Sequence, residues 1–190
     1  MSAIEYEIRN PSELRNAEEA VRMADLENMR SLPRISVHAF CESEVLQHVM
    51  ERCANDRRVA KVSMRITSGG IAAAANMFSG APTPNLIILE SKTNAANLLG
   101  ELAPLAAVCD PTTKVVIIGY YNDIGLYREL IRNGISEYMV QPVAMPDILA
   151  AMASIFVDPE AEPLGRSIAF IGSKGGTGAS TIAHNCAFGI

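Results

Sequence analysis

At 190 residues the chain is long enough for one ordinary domain and part of a second. Its 49% hydrophobic and 19% charged residues are those of a globular protein, and a net charge of −5 argues against a general nucleic-acid surface. No apolar run approaches the roughly 18 residues needed to span a bilayer, and the charged amino terminus lacks a signal-peptide core.

Residues 1–33 read as an amino-terminal extension. Pro11-Ser12-Glu13 suits a helix start, but Leu14, Ala17, Val21 and Ala24 supply only a thin apolar stripe, and Pro33 closes the segment. From residue 34 the pattern becomes regular. Strand-length apolar runs alternate with helical ones: 35–40 then 43–55, 59–66 then 69–78, 86–89 then 94–108, 115–118 then 123–133, 138–140 then 145–156. The first helix carries Val45, Leu46, Val49 and Met50 at helical spacing. Arg52, Arg57, Arg58 and Lys61, mixed with Glu51 and Asp56, are expected to form a solvated helix end and loop.

Leu86-Ile87-Ile88-Leu89 and Val115-Val116-Ile117-Ile118 are apolar throughout, as strands are when helices cover both faces of a parallel sheet. The repeated strand–helix units therefore predict an α/β domain over residues 34–157. It should be a flavodoxin-like, doubly wound, five-stranded parallel sheet in the order 2-1-3-4-5. Ile35, Val37, Leu86, Ile88, Val116 and Ile118 should lie in its core. Gln141-Pro142, directly after the last strand, is a favourable place for a cis peptide. Cys41, Cys53, Cys109 and Cys186, like His38, His48 and His184, lack metal-ligand spacing, so the thiols read as reduced and cytosolic and no zinc site is expected.

A Pro- and acid-rich linker, 158–166, leads to a second segment, 167–190. Here an apolar run, Ile168-Ala169-Phe170-Ile171, is followed by Gly172-Ser173-Lys174-Gly175-Gly176-Thr177-Gly178-Ala179-Ser180-Thr181 and a helix-compatible run. Strand, glycine-rich loop and helix form the context of a phosphate-binding loop: glycines turn backbone N–H groups toward an anion, and the helix amino terminus adds donors. Ala179 stands where the usual pattern has lysine, which leaves Lys174 as the loop's cation. Only 24 residues follow Arg166, whereas each βαβ unit takes about 30. The segment is expected to be the first strand, loop and helix of a second α/β domain, and the chain a piece of a longer protein. Alone, it is expected to bind nucleotide weakly or not at all.

The wording Lys174-Gly175-Gly176-Thr177-Gly178-Ala179-Ser180-Thr181 resembles the deviant Walker A loop of ParA/MinD-type ATPases. The resemblance implies ATP and Mg²⁺ for an intact ATPase domain. Lys174 would be the signature lysine, the backbone of Gly175, Gly176, Thr177 and Gly178 the phosphate cradle, Ser180 the Mg²⁺ ligand, and Thr181 a further contact. This chain is not expected to be catalytic by itself.

Two segments of the first domain resemble response-regulator receivers: Pro84-Asn85-Leu86-Ile87-Ile88-Leu89-Glu90, and the stretch from Asn133-Gly134-Ile135-Ser136 through Glu137-Tyr138-Met139-Val140-Gln141-Pro142. Receivers take a phosphoryl group on an aspartate ending the third strand, hold Mg²⁺ with acids after the first, and use a hydroxyl residue and a lysine after the fourth and fifth. Here Glu90, Gly119 and Gln141 replace the aspartate, hydroxyl and lysine, and only Glu42 supplies charge after the first strand. Glu90 is expected to be a solvated strand-end carboxylate, and the domain a pseudo-receiver without a metal site.

A degenerate receiver followed by a ParA/MinD-like loop is similar to the CpaE/TadZ family of pilus-assembly proteins. That resemblance implies a bacterial cytoplasmic protein at the cell pole, peripheral to the membrane at most. Its partners would be pilus or secretion machinery or polar targeting proteins, together with self-association and without nucleic acid. The other reading is a two-component response regulator whose receiver gates an ATPase output, phosphorylated at or near Glu90 or Ser91. A third is a folded scaffold carrying an inert loop.

Overall fold

A computed structural model describes residues 31–157 and 169–188. The chain divides into two compact units, 1–159 and 160–190.

In the first unit the elements run β1 (Ser36–Cys41), α1 (Glu44–Ala54), β2 (Ser63–Ser68), α2 (Ile71–Phe78), β3 (Leu86–Glu90), α3 (Ala95–Val108), β4 (Lys114–Gly119), α4 (Ile124–Arg132), β5 (Glu137–Val140) and α5 (Met145–Phe156). The strands form one five-stranded parallel sheet in the order β2-β1-β3-β4-β5. This is the expected fold. The Gln141–Pro142 peptide is cis.

Alternation along the strands sorts the core into two faces. Val37, Leu86, Ile88, Val116 and Ile118 point to the side covered by α1 and α5, through Leu46, Met50, Ile148, Leu149 and Met152. Phe40, Ile87, Leu89 and Ile117 point to the side covered by α2, α3 and α4, through Ile71, Phe78, Leu98, Leu105, Leu126 and Leu130. All six residues expected in the core are buried. Leu32, which the sequence pattern assigns to the extension, is fully buried in the α1–α5 core, and its N–H donates to Arg58 O at 3.0 Å. The rest of the extension, 1–30, lies outside the described residues.

The caps explain the helix starts. Ser43 and Asn94 accept from the N–H groups of Leu46 and Asn97, and Asp123 accepts from those of Gly125 and Leu126. One expected element differs. The run 59–66 is not a single strand, because Arg57–Val59 forms a 3₁₀ turn and β2 starts only at Ser63. Asp56 causes this by capping the turn through Arg58 N–H, which lets Val59 plug the core. Arg58 is consequently not part of a solvated cluster. Its guanidinium pairs with Asp56 at 2.7 Å with only 11% of its side chain exposed, while Arg52, Arg57 and Lys61 are exposed as expected.

Candidate functional site

β1 has β2 on one side and β3 on the other, so the chain leaves its carboxyl end in opposite directions and opens a crevice between the loops. Glu90 ends β3 at this crevice. Contrary to the expectation of a solvated carboxylate, it is fully buried. Oε2 accepts from the backbone N–H of Glu42 at 2.7 Å and of Ser43 at 2.8 Å. Oε1 accepts from Ser43 Oγ at 2.6 Å and Tyr120 Oη at 2.7 Å. Glutamate's extra methylene carries the carboxylate over to the amino terminus of α1.

Burial pushes the Glu90 carboxyl up, but the hydrogen bonds from Ser43, Tyr120 and Glu42 outweigh it and hold the group below its ordinary range. Glu90 is therefore ionised at neutral pH, with both oxygens doubly engaged. A carboxylate offers about four lone-pair sites, and here each has a donor. Neither a cation nor a phosphoryl group can reach an oxygen without displacing a donor. Tyr120, bonded to that carboxylate, has its own phenol pushed up.

The other receiver positions do not converge on Glu90. Glu42 contributes its N–H, while its own carboxylate is exposed and accepts from Lys92 N–H at 3.2 Å. Gly119 has no side chain because the Tyr138 phenol fills its space: a Cβ there would collide with the Tyr138 hydroxyl and ring. Tyr138 is buried and donates to Tyr121 O at 2.9 Å. Gln141 turns to its own loop, its side-chain oxygen accepting from Val143 N–H at 2.9 Å. Among the described residues, no group of three or more His, Cys, Asp or Glu could hold a metal ion.

Sequence reasoning did not single out Ser43 or Tyr120 for this site. Ser43 caps α1, and one Oγ does both jobs, donating to Glu90 while accepting from Leu46 N–H at 3.2 Å. Tyr120 carried no signal, since its partner lies on another strand.

In the second unit, residues 169–171 are not in a strand, because a strand is defined by its ladder and no described segment of this unit pairs with them. The loop follows, then α6 (Ala179–Phe188), which starts two residues before the expected Thr181. Gly176 and Gly178 adopt left-handed φ of 82° and 77°, which side chains disfavour. A Cβ at Gly175, Gly176 or Gly178 would meet only open space, so none of the three is glycine for packing reasons. Thr177 Oγ1 donates to Lys174 O at 3.0 Å and ties the loop to itself. Lys174, Ser180 and Thr181 are exposed. A backbone that alternates around left-handed glycines and then enters a helix fits a phosphate group.

Solved structures match the chain. The pilus assembly protein CpaE of Caulobacter crescentus CB15 is 41% identical over 68% of this chain and 98% of its own, with a TM-score of 0.66. A putative CpaE2 pilus assembly protein of Sinorhizobium meliloti 1021 is 36% identical over 64% of this chain and 99% of its own, with a TM-score of 0.62. A signal receiver domain of a two-component histidine kinase from Clostridium thermocellum shares 13% identity over 64% of this chain and 96% of its own, at a TM-score of 0.50, a likeness of fold alone. No protein-family model and no curated protein matches.

Proposed function

The chain belongs to the CpaE family of pilus assembly proteins, and from that premise we propose that its first unit is a pseudo-receiver that binds other proteins rather than accepting a phosphoryl group. The observation that carries this reading is the Glu90 carboxylate, buried and held by four donors. Phosphoryl transfer needs an oxygen free to attack and cations to neutralise the moving charge. Gln141 supplies no such charge, and Gly119 supplies no hydroxyl.

In this reading the module recruits pilus or secretion machinery, or polar targeting proteins, and associates with itself, in the bacterial cytoplasm at the cell pole. No described helix is long and apolar enough to cross a membrane. The glycine-rich loop of the second unit supports a further part of the proposal, fusion to a ParA/MinD-like ATPase. There the backbone of Gly175, Gly176, Thr177 and Gly178, with Lys174, would hold ATP phosphates, Ser180 would serve Mg²⁺, and Thr181 would make a further contact. The metal would neutralise phosphate charge when bound.

Treatment with acetyl phosphate or phosphoramidate and Mg²⁺, followed by intact mass, tests the central claim. The expected outcome is an unmodified first unit. A phosphoryl adduct mapped to Glu90 or Ser91 would make the protein a two-component regulator instead.

A further inference from the structure

The three helices on one face of the sheet are unevenly packed. α3 packs closely on α2 and only loosely on α4. Length is one difference: α3 has 14 residues and α4 has 9, which makes α3 longer by about 7.5 Å at 1.5 Å per residue. Composition is another, because Ala103 and Ala106 stand where larger side chains would close the gap. α4 ends at Arg132, and Gly134, with a φ of 89°, turns the chain away.

The result is a groove of about 680 Å³ between the carboxyl-terminal halves of the two helices. Leu99, Leu102, Ala103 and Ala106 line it from α3, with Val115 and Ile135 below. The α3 residues follow the spacing i, i+3, i+4, i+7. They form a ridge of large then small side chains, against which the ridge of a second helix interdigitates. The charge on the lining is one-sided: it includes Asp110 and Glu129 and no Lys or Arg. Ala103, Ala106 and Glu129 are exposed, so the groove is open to solvent along its length.

We propose that the α3–α4 groove is the docking site for an amphipathic helix of a partner protein that carries Lys or Arg beside its apolar stripe. This rests on the reading of the first unit as an interaction module and names the chemistry of what it binds. A helix fits better than an extended peptide, because the groove lies between helices and offers no sheet edge. A basic helix fits better than an acidic one, because Asp110 and Glu129 would oppose any carboxylate brought to the rim.

The test uses the whole chain and a synthetic helical peptide with leucines at i, i+3, i+4 and i+7 flanked by lysines. A control peptide replaces the lysines by glutamates. Fluorescence anisotropy should show saturable binding of the lysine peptide and none of the glutamate peptide. Glu129→Lys, and separately Ala103→Arg, should each weaken it about tenfold or more. Amide shifts of Gly134 and Ile135 on adding the lysine peptide to the unaltered chain give a reading that no variant's folding can confuse. Equal binding of both peptides, binding indifferent to both variants, or no binding overturns the proposal. So does a dimer that Ala103→Arg dissociates in the absence of peptide binding, which would assign the groove to a second copy. None of these outcomes touches the phosphorylation result, so the two readings fail separately.

Discussion

Removing the charge of Glu90 while keeping its shape leaves buried donors facing an amide. In Glu90→Gln, an NH₂ group would replace one oxygen and oppose either the two backbone N–H groups or the two hydroxyls. Stranding buried donors costs about 1–3 kcal/mol, and urea unfolding at neutral pH should register a loss of that size. The same carboxylate sets part of the acid sensitivity. Its folded pKa lies below the ordinary 4.5, so its contribution is fully present above that value and is lost as pH falls through the folded pKa. Asp56 acts in the same sense, its carboxyl drawn from 3.8 to about 2, chiefly by the hydrogen bond with Arg58. Stability measured against pH should therefore decline below 4.5, and Glu90→Gln and Asp56→Asn should each flatten it, Asp56→Asn between 3.8 and about 2. A decline unchanged in Glu90→Gln would show that the buried carboxylate is not the titrating group. Restoring a receiver-like hydroxyl should fail as well. Gly119→Thr drives a Cβ into the Tyr138 phenol, and overpacking of this kind costs about 1–3 kcal/mol. The measurement is a denaturant midpoint together with the phosphodonor assay, which should stay negative.

At the scale of elements, the caps allow a comparison that separates two roles of one side chain. Asn94→Ala at α3 removes only a cap, while Ser43→Ala at α1 removes a cap and a hydrogen bond to an ionised acceptor. The first should cost about 1 kcal/mol. The second should exceed it by roughly 1.5–3 kcal/mol, and equal losses would mean that the Ser43–Glu90 bond is energetically idle. These elements were legible because their signals are local. Strand-length apolar runs and apolar residues at helical spacing each act within a few residues. That is why the sheet order and its core could be read from the chain. The 59–66 run misled because Val59 is apolar for a different reason, as the buried plug of a turn capped by Asp56. Glu90 misled more deeply. A carboxylate at a strand end is normally wet, and the donors that allow burial come from α1 and from the loop after β4, which no spacing rule connects to it.

For the molecule as a whole, burial ranks the thiols. Burial pushes Cys41 and Cys53 up to about 12, with nearby carboxylates adding to the effect. Cys109 is half-buried and Cys186 is exposed. Brief treatment with iodoacetamide at neutral pH should label Cys186 first and Cys109 more slowly, leaving Cys41 and Cys53 unlabelled until the first unit unfolds. Prompt labelling of Cys53 would contradict the packing of α1 on α5. The bonds of Glu90 also have an electrostatic consequence. The leading end of a helix carries roughly half a positive charge and is a natural seat for anions. In this crevice that partial charge faces a full negative one, held by bonds of 2.8 Å or less, and the exposed Glu42 adds another nearby. The carboxyl end of the sheet, where folds of this architecture usually collect phosphorylated ligands, is thus quenched from within and repels them.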